Sequence, residues 1–341
     1  MIVAVVIPAR EAEGMLRGCI ESVRAQQRPA DEVWIVVGPS RDGTLKAARE
    51  LADDITVVLE NPAGDRGSAI NQVLDASRAD AFAFVDTQSR LDPDYLSSAL
   101  DVLDRTGAAV VGGPMRASGP TPVAKAMAAA LGSPFGIGDS QFHFVGTGRE
   151  VESVYLGVYR ASAFHRVGHY NAALLRTEDD DINARIRAAG LRIWLDPAIG
   201  ATYLCRTRLA DIWTQYRGYG YWKVGLGTIR RSAIRPRHFV PAAFVGATAV
   251  GAAISAVAWR PALAVLSLAY VGVAWTDAAR MRGLEIRARL IYPLVTLTMH
   301  VGYGVGSLIG LFRWAHLRAA ASRGAATAEP ESLPAFRGNR A

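Results

Sequence analysis

The chain has 341 residues, half of them hydrophobic, with a formal net charge of +7. That length suffices for one large domain or two modest ones, and two cysteines, Cys19 and Cys205, make neither a disulfide framework nor a metal knuckle. The charge is uneven: residues 227–341 carry 14 Lys and Arg against 4 Asp and Glu, and the first 226 carry 24 against 27. Basic residues that flank apolar runs suit anionic lipid head groups, not a nucleic-acid backbone.

The chain opens with "MIVAVVIPAR", whose short apolar run Ile2–Ile7 has no basic leader or small-residue cleavage site, so it reads as a buried strand rather than a secretory signal. Apolar strands then alternate with amphipathic helices. A helix is expected around Met15–Ala25, a strand over Glu32–Val37, a helix near Leu45–Asp53, a strand over Ile55–Leu59, and a helix over Ser68–Ser77. Ala81–Val85 is the next strand, and a helix should begin after Asp92, with Asp92 as its cap and Pro93 in its first position. Ala108–Val111 and Glu152–Arg160 read as further strands. This alternation predicts an α/β fold with a mostly parallel sheet covered on both faces. No glycine fingerprint follows the first strand, so a dinucleotide-binding reading lacks its main support.

"TEDDDINARIRAAGLRIWLDP" (Thr177–Pro197) is an acid-led helix closed by Gly190 and followed by a short strand. Leu209–Leu226 is an aromatic helix; it either lies at a membrane interface and presents an acceptor, or packs its rings on the catalytic unit. Phe239–Trp259 is uncharged and long enough to cross a bilayer, which takes roughly 20 residues. Ala262–Trp275 is a shorter apolar run after Arg260 and Pro261, and Leu290–Phe312, with His300 inside it, is a third. Arg230, Arg231, Arg235 and Arg237 precede the first run, and Arg280, Arg282, Arg287 and Arg289 precede the third. Positive clusters stay in the cytoplasm, so the first two runs form a hairpin. A third crossing would carry Arg313, Arg318 and Arg323 to the far side, which leaves the span number at two or three. "GYGVGSLIG" (Gly302–Gly310) has the small-residue spacing of close helix packing, and His300 suits a helix–helix hydrogen bond. His143, His165 and His169 lack metal-ligand spacing, and the end of the chain reads as a disordered polar tail.

In an open α/β sheet ligands bind beyond the carboxyl ends of the strands. The polar groups there are Pro8, Arg10 and Glu11 after the first strand, Asp42 after the second, Asn61 after the third, and Asp86 with Gln88 after the fourth. An aspartate with a second oxygen donor two residues on can hold a hard divalent cation bound to a diphosphate; alone, it can equally cap a turn. Glu178, Asp179, Asp180 and Asp181 fan apart by about 100° per residue on a helix, so one or two can face a cleft. A carboxylate there can take a proton from an attacking hydroxyl.

Together "VVIPAREAE" (Val5–Glu13), "SRDGT" (Ser40–Thr44), "FVDTQSRLDPDYL" (Phe82–Leu96), "VGGPM" (Val111–Met115), "VYLGVYR" (Val154–Arg160), "EDDDINARIRAAGLRIWLDP" (Glu178–Pro197) and "QYRGYGYWKVG" (Gln215–Gly225) resemble family 2 glycosyltransferases of GT-A fold, and among them the succinoglycan-type exopolysaccharide enzymes. The resemblance implies a membrane-anchored, inverting glycosyltransferase at the cytoplasmic face of the cell membrane. Its donor would be a nucleotide-sugar, its acceptor a lipid-linked or saccharide molecule, and its cofactor Mg²⁺ or Mn²⁺. It further implies that Asp86, with Gln88, binds metal and diphosphate, that Asp179 is the general base beside Glu178, and that Pro8, Arg10, Glu11, Asp42 and Asn61 line the nucleotide side. Asn183 and Arg185 would support the acid pair. The chain then divides into a catalytic unit (1–226), a basic linker (227–238), membrane helices (239–312) and a tail (313–341). Two positions depart from the pattern: Val37 stands where a base-reading aspartate is usual, and Gly218 where closer relatives have arginine. Alternatives are a polyprenyl-phosphate sugar synthase and a non-catalytic interaction module.

Overall fold

The computed structural model describes residues 1–138, 146–258 and 261–324, with side chains as far as Trp314. His143, Trp259, Arg260, the tail from 325 and the side chains of Arg318 and Arg323 lie outside the described residues. The first half alternates as the apolar runs require. Strand β1 (Val3–Ala9) leads to helix α1 (Glu13–Arg24), β2 (Glu32–Val37) to α2 (Thr44–Glu50), and β3 (Thr56–Glu60) to α3 (Arg66–Ala76). After β4 (Ala81–Phe84) come β5 (Ser89–Leu91), α4 (Tyr95–Thr106), β6 (Val110–Gly113) and β7 (Met115–Ser118). Helices α5 (Pro122–Leu131) and α6 (Pro134–Ile137) precede β8 (Arg149–Glu150), β9 (Tyr155–Arg160) and α7 (Ala161–Val167). The acid-led helix is α8 (Glu178–Ala188); β10 (Ile193–Leu195), β11 (Ala201–Leu204) and the aromatic helix α9 (Leu209–Ile229) follow.

The large sheet runs β3-β2-β1-β4-β9-β6-β10-β8. Six strands point one way; β9 pairs antiparallel with β4 and β6, and β8 antiparallel with β10. The chain builds outward from β1 to β3, then returns to place β4 on the other side of β1, with Val3 opposite Ala81. That reversal opens a crevice beyond the ends of β1 and β4, where Arg10 and Asp86 sit. One core lies between the sheet and α1, α4 and α5; the other holds Ile70, Val73, Ile182 and Ile186 of α3 and α8 with the ring cluster Phe82, Phe84, Tyr159, Phe164 and Tyr170.

A smaller sheet, β5-β11-β7, has no counterpart in the sequence reading, because strands of three or four residues carry too few positions to show a period. It also corrects the start of α4. Residues 89–91 pair with β11, and Asp92 donates its backbone N–H to Gly200 O at 3.0 Å while its carboxylate pairs with Arg116. Pro93 therefore lies outside the helix, which starts at Tyr95 after Asp94.

Among the described residues three helices are long and apolar enough to cross a membrane: Pro236–Ala258, Ala262–Arg280 and Ile286–Trp314. They contain α10 (Val240–Ala258), α11 (Ala262–Arg280) and α12 (Ile286–Gly324). Their surroundings differ, since only 11 % of the first two is buried but 44 % of the third. Helix α12 lies along α9 and touches α5, whereas α10 and α11 form an antiparallel hairpin on its far side. The glycines of "GYGVGSLIG" serve that contact: a side chain at Gly306 would overlap the carbonyl oxygen of Arg217, and one at Gly304 would overlap that of Pro241. His300 joins three elements, its Nδ1 2.9 Å from the Tyr270 hydroxyl and its Nε2 3.1 Å from Gly136 O. The rings of α9 are likewise used in packing. Tyr216, Tyr221 and Trp222 are buried, the last two against Trp314 of α12.

Candidate active site

Asp86 follows β4 and Asp179 lies in the first turn of α8, so they come from opposite halves of the fold. Arg66, first residue of α3, reaches both. Its Nε stands 3.4 Å from Asp86 Oδ1, and its Nη1 stands 2.7 Å from Asp179 Oδ1 and 3.5 Å from Glu178 Oε1. Asp65 caps α3 by accepting from Ser68 N at 2.7 Å, which fixes the helix start and the direction of Arg66. Three carboxyls thus share one guanidinium at the crevice.

The two acids of the pair differ. The Glu178 side chain is 8 % exposed, and its Oε2 has no partner among the described residues. Burial, with Asp179 beside it and Arg66 opposing, pushes its carboxyl up to about 8. Asp179 is 48 % exposed and paired with Arg66; burial and the nearby Asp86 raise its carboxyl too, with Arg66 opposing. The other two acids turn away as helix geometry requires: Asp180 pairs with Lys223 of α9, and Asp181 with Arg185 and Arg230. Asn183 and Arg185 do not touch the acid pair. Asn183 accepts from the Tyr159 hydroxyl and donates to Ser153, while Arg185 binds Asp181 and the carbonyls of Val167, Gly168 and His169. They fix α8 in place and act on the pair only through it.

Of the residues expected on the nucleotide side, several are occupied with the fold. Asn61 is buried, donates to Asp65 O and accepts from Gln72. Asp42 accepts from the backbone N–H of Glu13 and Thr44 and from the Thr44 hydroxyl. Glu11 takes a left-handed backbone (φ 49°), accepts from Arg41 N and donates its own N–H to Ser40 Oγ. Pro8 lies in β1 opposite Val36. Arg10 is exposed and donates to Gly64 O at 3.3 Å. Val37 is buried between Ala9 and Glu60 and offers no polar group.

Among the described residues no three His, Cys, Asp or Glu side chains cluster as a metal site. With its amide oriented toward Arg206, Gln88 accepts from Nη1 at 2.8 Å and Nη2 at 2.7 Å. What remains is the Asp86 carboxylate, 44 % exposed. One carboxylate fits a hard cation that brings diphosphate oxygens and water as its other ligands; it does not make a closed cage. Arg66, Arg176 and Arg206 escaped the sequence reading, since a lone arginine at a helix start or strand end has no motif to mark it.

Residues 4–168 match the family described as "Glycosyl transferase family 2". The chain is 30 % identical over 221 residues to the succinoglycan biosynthesis protein ExoA of Rhizobium meliloti (strain 1021), covering 63 % of this chain and 67 % of that protein. In structure it resembles the mannosyltransferase PcManGT from Pyrobaculum calidifontis, solved with GDP-Man and Mn²⁺ (TM-score 0.62, 18 % identity, 91 % of this chain and 87 % of that one). It also resembles S. aureus TarS (TM-score 0.51, 18 % identity, 90 % and 55 %). The doubly covered sheet and its crevice are those of the GT-A fold. The chain is a glycosyltransferase and belongs to glycosyl transferase family 2.

Proposed function

We propose that the protein is a membrane-anchored, inverting glycosyltransferase of polysaccharide or glycolipid synthesis. It moves a sugar from a nucleotide-sugar to a lipid-linked or saccharide acceptor at the cytoplasmic face of the cell membrane. The observation that carries this reading is the Arg66 bridge, which brings Asp86 and Asp179 to one crevice. The likeness to ExoA, a succinoglycan biosynthesis protein, and to PcManGT, solved with GDP-Man and Mn²⁺, supports the polysaccharide product, the donor class and the metal.

The chemistry follows from the two ends of that bridge. Asp179 accepts the proton of the acceptor hydroxyl as its oxygen attacks the anomeric carbon. Attack comes from the face opposite the diphosphate, the sugar–phosphate bond breaks, and its electron pair leaves on the phosphate oxygen, so the anomeric configuration inverts. Glu178, kept protonated by burial, leaves Asp179 as the one proton acceptor of the pair. A Mg²⁺ or Mn²⁺ held by Asp86 and the diphosphate would offset charge on the leaving group. Residues 1–226 serve as the catalytic unit, 227–238 as a basic linker and 239–312 as the membrane part, with 313–341 a tail.

The test is turnover by the purified full-length protein in detergent, across a panel of nucleotide-sugars and polyisoprenyl-linked acceptors. Release of nucleoside diphosphate with an inverted glycosidic product is expected. A retained configuration would contradict the mechanism. A sugar found on a lipid phosphate instead of a hydroxyl would identify a polyprenyl-phosphate sugar synthase. No release from any donor would overturn the reading.

A further inference from the structure

Gly218 lies inside α9, where glycine costs about 1 kcal/mol relative to alanine. Its bare surface is covered from another element: a side chain at Gly218 would begin 2.7 Å from Cδ and from Nε of Arg176. Arg176 stands just ahead of α8, two residues before Glu178, and among the described residues it has no ion pair. Arg206, just past β11, is the second cation. The single amide oxygen of Gln88 accepts from both of its Nη atoms, which aims the guanidinium without neutralising it. A carboxylate at position 88 would cancel that charge. Gln215 of α9 donates to the hydroxyls of Tyr219 and Tyr203 at 3.0 and 3.2 Å, which ties the helix beside Gly218 to β11, the strand that Arg206 follows, and Leu204 N donates to the carbonyl of Gln88, two residues from Asp86, at 2.8 Å.

We propose that Arg176, laid across Gly218, and Arg206, aimed by Gln88, form a two-guanidinium cradle for the diphosphate of the donor beside Asp86. The proposal rests on the reading of this crevice as the donor site. It assigns Gln88 a positioning role toward Arg206 in place of metal ligation, and it gives the side-chain gap at 218 a purpose. Two planar forks beside one carboxylate suit a doubly phosphorylated group better than a single phosphate.

The experiment is calorimetric titration of the full-length protein in nanodiscs with nucleoside monophosphates and diphosphates of several bases, with chelator and with Mn²⁺. Wild type should favour the diphosphate over the monophosphate of one base by roughly tenfold or more. Arg176→Ala and Arg206→Ala should each remove most of that preference and leave monophosphate affinity alone. Gly218→Ala should also weaken diphosphate binding while the melting temperature holds or rises, which a merely structural role would not produce. Placing the guanidinium on α9 in the double variant Arg176→Ala/Gly218→Arg should restore the preference. A preference that persists in folded Arg176→Ala and Arg206→Ala proteins, or appears only with Mn²⁺ and ignores both changes, overturns the cradle and leaves the donor site standing. Failure of the wild type to bind any of these nucleotides overturns both.

Discussion

At Glu178 a carboxyl is buried with one oxygen unpartnered, and stability must depend on pH there. Its folded value is raised above the ordinary 4.5, so between 4.5 and about 8 the folded protein binds a proton that the unfolded chain has released. Stability should therefore fall as pH rises through that window. Glu178→Gln removes the titration, so its melting temperature should exceed that of the wild type at pH 9 and approach it at pH 5; parallel melting curves across pH would refute the assignment. Asn61 makes a contrasting prediction. Both ends of its amide serve the fold, and Asn61→Ala should lower stability by about 1–3 kcal/mol in chemical denaturation, with donor affinity changed less than by Arg206→Ala. The sequence displayed Asp86 and the Glu178–Asp179 pair because strand ends and helix first turns are places where polar groups must face outward. It concealed Arg66, since nothing local says that an arginine beside a capping aspartate will turn inward to carboxyls from two other elements.

Among elements, the contact between α9 and α12 decides how catalytic and apolar parts are joined. The two helices approach closely enough that Gly220 and Gly306 lie against backbone of the partner. Gly306→Leu should force them apart and cost about 1–3 kcal/mol, read as a lower melting temperature in detergent, whereas the same change at Gly246, which has open space around it, should leave it unchanged. Small-residue spacing announced close packing in the sequence. It did not say that the partner is α9, a helix carrying Arg217 and Lys223 and tied to Asp180 of α8. The long elements were legible from period and apolar runs: β2 matches its expected range, and α8 ends before Gly190, whose φ is +74°. The short strands of the second sheet, which move the start of α4, form only through pairing between distant segments.

For the whole molecule, the difference between α12 and the hairpin bears on the span number. Helix α12 is covered by α9 and α5 along one side; Lys125 of α5 pairs with Glu285 in the turn between α11 and α12, and Ser133, at the start of α6, donates to Asp277 of α11 at 2.7 Å. Helices α10 and α11 expose apolar residues such as Val250, Val257, Leu268 and Val273 over most of their length, while α12 exposes Leu290, Leu294, Ile309 and Phe312 on the side away from α9 and α5. Exposed Arg231 and Arg235 stand before α10, and exposed Arg280 and Arg282 close α11, so both clusters sit at the open end of one hairpin. On the proposed reading, an even crossing would keep that end and the catalytic unit on the cytoplasmic side. Cysteines introduced as Ser232→Cys and Arg282→Cys should react with an impermeant thiol reagent only in inside-out vesicles, against little background because Cys19 and Cys205 are buried. Labelling of the two from opposite sides would break the hairpin assignment.

The central claim is that the carboxyls at the ends of the Arg66 bridge divide the work, one holding the donor and the other receiving the proton. Donor affinity and turnover measured together on Asp86→Ala and Asp179→Asn test it most directly. Asp179→Asn should bind nucleotide-sugar nearly as the wild type does and turn over about 10²–10⁴-fold more slowly, while Asp86→Ala should lose binding and turnover alike. Turnover by folded Asp179→Asn at the wild-type rate would contradict the account.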